Sequence, residues 1–405
     1  MKSLITLVLI GLALTASVSY DTSKAVKDTG SKTFDDSITP HTLINNMGMG
    51  WNLGNSLECA SDGFNNEGLS SETSWGNSKT TQALINAVAN KGFKTIRIPV
   101  SWHNHLVDYQ YTVDPNWTKR VKQVVDWAIA KGLYVIINVH HDVASSSSVS
   151  YGQGYYPRKA SQTESTKFLL NVWTQIALAF NNGYDQHLIF EALNEPRLRG
   201  NTYEWWYSAG ASDCEEGNEV LNAYNKVIHE VIRGSGGNNK KRFIMFTSQA
   251  ANIGYLTGNN FSIPDDSKYN SSIKRILISV HLYSPYDFAM DAYSGVTTCS
   301  SSCKSELDGY FSTLYSKFVS KGYGVVIGET GSINKNNASA RTEWGKYFVT
   351  QARKKGLASI VWDNQYWGTG SEGESFGLLH RDALYWEPDD HVTALISAAK
   401  TTLGS

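Results

Sequence analysis

Four times along this chain an amphipathic stretch ends in a Lys-Gly pair and is followed at once by a short apolar run: "KGFKTIRIPV", "KGLYVIINVHH", "KGYGVVIGE" and "KKGLASIVWDN". Glycine directly after a helical pattern is the usual left-handed cap, and a bounded, β-branched run behind it reads as a strand. The unit is therefore helix, cap, strand. Ahead of Gly132, residues Val121, Val124, Val125, Ala128 and Ile129 fall at helical spacing, and Leu307, Tyr310, Phe311, Leu314 and Phe318 repeat this before Gly322. Less regular members bring the candidate strands to eight, near 47–52, 94–100, 133–140, 188–194, 242–248, 276–282, 324–329 and 358–363. Runs such as "VIINV" and "GVVIG" are apolar almost throughout instead of alternating, as strands buried on both faces are. Eight such units predict an α/β fold, a closed (β/α)₈ TIM barrel forming a single domain over 41–405; an open doubly wound sheet is the competing architecture.

A chain of 405 residues could also hold two ordinary domains, but no Pro- or Ser-rich linker divides it. The serine run "ASSSSVS" lies between the third strand and its helix and reads as a surface loop. A formal charge of −1, with Lys and Arg dispersed, lacks the basic footprint that nucleic acid requires. At the N-terminus Lys2, an apolar run and the triplet Ser17-Val18-Ser19 read as a secretory signal over 1–19, shorter than a membrane-spanning helix. Residues 20–40 read as a loose polar arm. The expectation is a secreted, extracellular monomer with no membrane association after cleavage. In an oxidising compartment Cys299 and Cys303 could close a small loop, leaving Cys59 to join Cys214. Sequons at Asn116, Asn260, Asn270 and Asn337 agree with a secreted glycoprotein.

In a parallel barrel the site forms where the strands end at their C-termini, and these ends are rich in chemistry. The second ends in Arg97, the third in His140 and His141, and the fourth in Asn194 and Glu195. The sixth ends in His281 and Tyr283, the seventh in Glu329, and the eighth in Trp362 with Asp363 and Asn364. Carboxylates on the fourth and seventh strands face each other across the mouth. One could protonate a leaving oxygen while the other attacks carbon, as in glycoside hydrolysis. Mutual repulsion would let Glu195 keep its proton while Glu329 stays ionised beside Arg97. Asn194 is placed to bond a sugar hydroxyl.

In order, "GWNLGNSLE", "TIRIPVSW", "VIINVHHD", "FEALNEP", "VHLYSPYDF", "VIGETG" and "IVWDN" resemble glycoside hydrolase family 5, the cellulase family of the clan of retaining (β/α)₈ glycosidases, from Met47 to the end. The resemblance implies Glu195 as acid/base and Glu329 as nucleophile. It also implies Arg97 orienting the nucleophile, His140 and Asn194 as subsite residues, His281 and Tyr283 beside the two acids, and Trp362 as the platform under the sugar at the cleavage point. It implies an endo-β-1,4-glucanase acting on cellulose or mixed-linkage β-glucan, without a cofactor. Xyloglucan, xylan or mannan are the alternative substrates. A non-catalytic carbohydrate-binding barrel is the alternative of another class, and its mark would be loss of one catalytic carboxylate; both are present.

Glu191 lies deeper on the strand that leads to Glu195 and reads as structural. The run His140-His141-Asp142 lacks metal-ligand spacing, and "GMGWNLG" lacks that of a dinucleotide loop, so neither metal nor nucleotide is expected. Trp75, Trp102, Trp205, Trp206 and Trp367 fall in loops after strands, where a row of rings would make a groove for a polysaccharide.

Overall fold

The computed structural model describes residues 4–5, 20–61, 66–258, 260–369 and 373–403. Of the expected signal over 1–19 only Leu4 and Ile5 fall within them. Eight parallel strands close into a barrel in chain order: β1 (Met49–Asn52), β2 (Thr95–Ile98), β3 (Tyr134–Asn138), β4 (Leu188–Glu191), β5 (Ile244–Phe246), β6 (Ile276–His281), β7 (Gly324–Thr330) and β8 (Leu357–Val361), with β8 pairing back to β1. All eight expected strands are present. Six of them end one to three residues earlier than the apolar runs suggest, while β1 ends as expected and β7 runs one residue further, so several site residues stand on loops beyond their strands.

Helices α1 (Pro40–Met47), α2 (Gln82–Lys91), α3 (Pro115–Ala130), α4 (Gln162–Ala179), α5 (Ser212–Gly234), α6 (Ser301–Lys317), α7 (Ala338–Lys354) and α8 (Asp389–Ala398) surround the barrel. The Lys-Gly units fold as the sequence indicates: Gly92, Gly132, Gly322 and Gly356 all have positive φ, so each closes its helix without a Cβ penalty. Thr81 and Ser300 cap α2 and α6 through side-chain oxygens. The crossover from β5 to β6 carries the 3-10 turn Gln249–Ala251 and the short helix Ile253–Thr257.

Pleating sorts each strand into two faces. Val135 and Ile137 of β3 and Phe190 of β4 point outward into the large core under the helices, while Ile136, Ile189, Met245, Leu277, Val326, Ala358 and Ile360 fill the barrel interior. Residues 20–40 are not loose throughout. Phe34 and Ile38 join this inner core beside Leu43 and Met47 of α1, and Arg275 bonds the carbonyls of Asp36 and Ile38. Polar sequence disguised an arm that docks through a few apolar side chains and its own backbone.

At the top of the barrel the inward positions turn polar. Here β7 departs from regular pairing: Val280 faces Ile327, but the next residue, His281, faces Glu329, so Gly328 is bulged. A Cβ on Gly328 would come within 3.2 Å of His281 Nε2 and Ser279 Oγ, so the crowding at this level admits only glycine easily.

The disulfide Cys299–Cys303 is formed, whereas Cys59 and Cys214 are both free and buried. Cys59 follows β1 and Cys214 opens α5, elements on opposite sides of the ring of strands, and Cys214 Sγ instead meets the Tyr255 hydroxyl at 3.3 Å.

Candidate active site

Arg97 is fully buried at the centre of the upper layer, and all three of its guanidinium nitrogens donate hydrogen bonds. Nε and Nη2 reach Glu191 at 2.8 and 2.6 Å, Nη2 also reaches Asn194 Oδ1 at 2.6 Å, and Nη1 reaches Asn52 Oδ1 at 3.0 Å and Glu329 Oε1 at 2.7 Å. Burial opposes the charge, but Glu191 and Glu329 outweigh it and hold the guanidinium above its ordinary pKa. Glu191 receives further bonds from Ser279 Oγ at 2.7 Å and Asn138 Nδ2 at 2.8 Å. It is sealed beneath the site, as its depth on β4 predicts. Sequence reading missed Asn52, Asn138 and Ser279; their signal was an inward pleat position, at the last residue of the strand for the two asparagines and one level below it for Ser279.

Glu329 is fixed on two sides, by Arg97 and by the Tyr283 hydroxyl, which donates to Oε2 at 3.0 Å. Burial and then the charges of Glu329 and Glu195 push the Tyr283 phenol well up, so it remains a donor. Glu195 stands four residues beyond β4 with 17% of its side chain exposed, and its Oε1 accepts from His281 Nδ1 at 2.8 Å. The same nitrogen lies 3.5 Å from Glu329 Oε2. One oxygen from each acid and a His281 nitrogen all lie within 4.8 Å of one another. Among the described residues this is the one cluster of three metal-ligating groups, and its atoms already bond within the site.

The expected protonation of Glu195 is corrected by this geometry. Burial raises its pKa, but the His281 hydrogen bond and charge, with Arg197 and His141 behind them, more than offset it and carry the carboxyl below its ordinary value. Burial lowers His281, and the charges of Glu329 and Glu195 raise it further than that, to a net rise. Both directions favour the proton on His281 over Glu195, and repulsion between the two acids alone does not reveal this partner.

His140 and His141 lie two and three residues past β3. Asn138 Nδ2 donates to His140 Nδ1 at 3.1 Å, and burial followed by the neighbouring cations keeps that ring neutral, which leaves its proton on Nε2. The ring is parallel to Trp362 within 11°, with centroids 6.1 Å apart. His141 is pushed down to about 4, chiefly by burial and then by Arg197, and lies against Trp75 at 5.5 Å. His141 and Trp75 border a cavity of about 380 Å³ with His103, Arg197 and Arg199. Asp363 turns away, its carboxylate taken by Trp51 Nε1 and the Leu379 amide, both at 2.9 Å.

The loop tryptophans divide. Trp75, Trp205 and Trp206 are exposed. Trp102 is buried and donates to the Asn138 carbonyl at 2.8 Å, so it belongs to the core. Trp367 stacks at 3.8 Å on His380. A loop position does not tell which ring the loop folds over.

With this constellation in place, comparison with known proteins is informative. Residues 59–368 match the family model described as cellulase, glycosyl hydrolase family 5. Endoglucanase A of Clostridium longisporum is 46% identical over 366 residues, 88% of this chain; the chain spans 65% of that protein's length. Among solved structures, a family 5 lichenase from Caldicellulosiruptor sp. F32, a variant in complex with cellotetraose, is similar with a TM-score of 0.83 at 39% identity, covering 92% of this chain and 98% of that one. A broad-specificity endoglucanase from Clostridium longisporum gives 0.79 at 43% identity over 90% of this chain and 99% of that one. The barrel, the two facing acids with the arginine beneath them, and a family match over most of its length agree, and the chain belongs to glycosyl hydrolase family 5.

Proposed function

We propose that this chain is a secreted endo-β-1,4-glucanase that cleaves cellulose-like or mixed-linkage β-glucan with retention of configuration. The observation that carries the reading is the closeness of Glu195 and Glu329: one oxygen of each lies within 4.8 Å of the other, and His281 Nδ1 approaches both, at 2.8 and 3.5 Å. Retaining glycosidases hold their carboxyls about 5–5.5 Å apart, too close for a water to attack in between. Glu329, already fixed by Arg97 and Tyr283, attacks the anomeric carbon and forms a glycosyl-enzyme. Glu195 protonates the leaving oxygen, then takes a proton from the water that releases the sugar. Asn194 spends its carbonyl on Arg97 and keeps its amide N–H groups for a sugar hydroxyl, and Trp362 supplies the floor. The relatives named as endoglucanases and the lichenase bound to cellotetraose support a β-glucan substrate. Lys2, the apolar run after it and the triplet Ser17-Val18-Ser19, read as a signal, are what favours export in this proposal.

The test is the stereochemistry of the first product. Proton NMR of a cello-oligosaccharide digest, read before mutarotation, should show the β-anomer of the new reducing end first. An initial α-anomer would reject the roles of both acids.

The shared proton gives a second expectation. The ion pair of ionised Glu195 with protonated His281 and the working state of protonated Glu195 with neutral His281 contain the same number of protons. They differ by a shift along one 2.8 Å hydrogen bond. A sugar filling the cleft removes the water that Glu195 still sees and favours the uncharged form. The basic limb of kcat/KM then reports loss of a proton held mainly by His281, above the ordinary histidine value of about 6.5. In His281→Gln only the carboxyl can hold it, so that limb should move to lower pH on cellotetraose. An unmoved limb would remove His281 from the proton inventory.

A further inference from the structure

Asn138 closes β3 with its side chain directed into the barrel, and its amide is fixed at both ends. Its Oδ1 accepts from the Val100 N–H at 3.1 Å, while its Nδ2 donates to Glu191 Oε2 at 2.8 Å and faces His140 Nδ1 at 3.1 Å. The amide cannot be turned over. Exchanging its oxygen and nitrogen would set the NH₂ group against the N–H of Val100, and the oxygen against a carboxylate that already accepts from Arg97.

His140 is held as firmly. Its own amide donates to the Val100 carbonyl at 2.9 Å, so Val100 clasps both residues, and its ring lies parallel to Trp362 within 11° and edge to face with His141 at 4.4 Å. A donor facing Nδ1 requires a lone pair there, and the ring therefore carries its one proton on Nε2. Among the described residues Nε2 takes no protein partner.

The tautomer decides what this ring can do for a sugar. With its proton on Nε2 the imidazole gives a hydrogen bond to a hydroxyl oxygen; with the proton on Nδ1 it could only accept one there. A protonated ring would also donate, but it would bring a full positive charge into a cleft where positive charge develops at the anomeric carbon. The Asn138 amide supplies the donor without the charge, and burial, then the neighbouring His141 and Arg97, act in the same direction.

We infer that Asn138 is a positioning residue that sets the tautomer of His140 and so reserves its Nε2–H for a hydroxyl oxygen of the bound sugar. The buried pair of Arg97 and Glu191 thereby gains a second task, because Glu191 holds the nitrogen end of Asn138 and, through that one amide, the hydrogen-bonding sense of a ring in the cleft. The role toward sugar rests on the glucanase reading above; the tautomer does not.

Long-range proton–nitrogen correlation spectra of protein with isotope-labelled histidine read the tautomer directly, with His140 assigned among the ten histidines by its absence in His140→Gln. Near neutral pH the wild-type ring should be uncharged with its proton on Nε2. Asn138→Asp, whose carboxylate accepts, should place a proton on Nδ1; Asn138→Ser, which adds no charge and withdraws the donor, should leave the proton shared between the two nitrogens. In both, kcat/KM on cellotetraose should fall about tenfold or more, the scale of one hydrogen bond lost at a buried site. A wild-type ring that holds a proton on Nδ1, or a proton that stays wholly on Nε2 in the folded variants, overturns the assignment. A wild-type protein with the expected tautomer that leaves cellotetraose uncut would instead sink the glucanase reading.

Discussion

Glu329→Gln is expected to lose hydrolysis of β-glucan by a factor on the order of 10⁴ or more, because the substitution removes the covalent step itself. The amide is nearly isosteric with the acid, and its oxygen can still accept from Arg97 or Tyr283, so the fold and the sugar-binding surface should survive. What disappears is the nucleophile and the negative charge that meets the positive charge growing at the anomeric carbon. The charge that helps hold a proton on His281 goes as well. Steady-state rates on a soluble β-glucan, with circular dichroism to establish an intact fold, decide the matter. Activity within tenfold of the wild type would reject Glu329 as nucleophile.

Arg97→Met should destabilise the protein by about 3–5 kcal/mol, the usual cost of stranding one partner of a buried ion pair. Glu191 would keep Ser279 and Asn138 but have no cation at 0% exposure. Glu329 would lose its shortest anchor at the same time, so activity falls with stability. Urea unfolding measures the first effect. The double variant Arg97→Met with Glu191→Met separates the two, since removing both charges should recover much of the stability and none of the activity. A single variant within 1 kcal/mol of wild type would mean that Glu191 accepts a proton at little cost and that the layer is not held by charge.

Most of the barrel was legible because its units announce themselves locally: a helical period, a glycine that must take φ > 0, and an apolar run. The site residues were legible because strand ends are where a barrel can place reactive groups, and arginine, histidine and glutamate are costly choices for a turn. What the chain hid depends on distances that cannot be read along it. Whether Cys59 meets Cys214 is decided by the circumference of the ring, and the sequence carries no measure of that. The state of Glu195 is decided by a histidine 86 positions away. Trp102 and Trp206 look alike as loop residues, yet one loop folds inward over Asn138 and the other leaves its ring in water. Asn52 and Asn138 escaped notice because asparagine is common in turns, and only the pleat places these two under the acids.

The bulge at Gly328 gives the two acids different owners. Glu329 is part of the sheet, paired through backbone to His281, so its backbone position is inherited from the barrel, and the Tyr283 hydroxyl is the contact that reaches its carboxylate from a loop. Glu195 sits beyond the last paired residue of its strand, at the root of the loop that also carries Trp205 and Trp206. For anyone recombining such barrels, loops can be exchanged above β7 without disturbing the nucleophile. A graft above β4 carries the acid with it unless the splice begins beyond Arg197. On the roles proposed above, the scaffold keeps the attacking group and the interchangeable part keeps the proton donor.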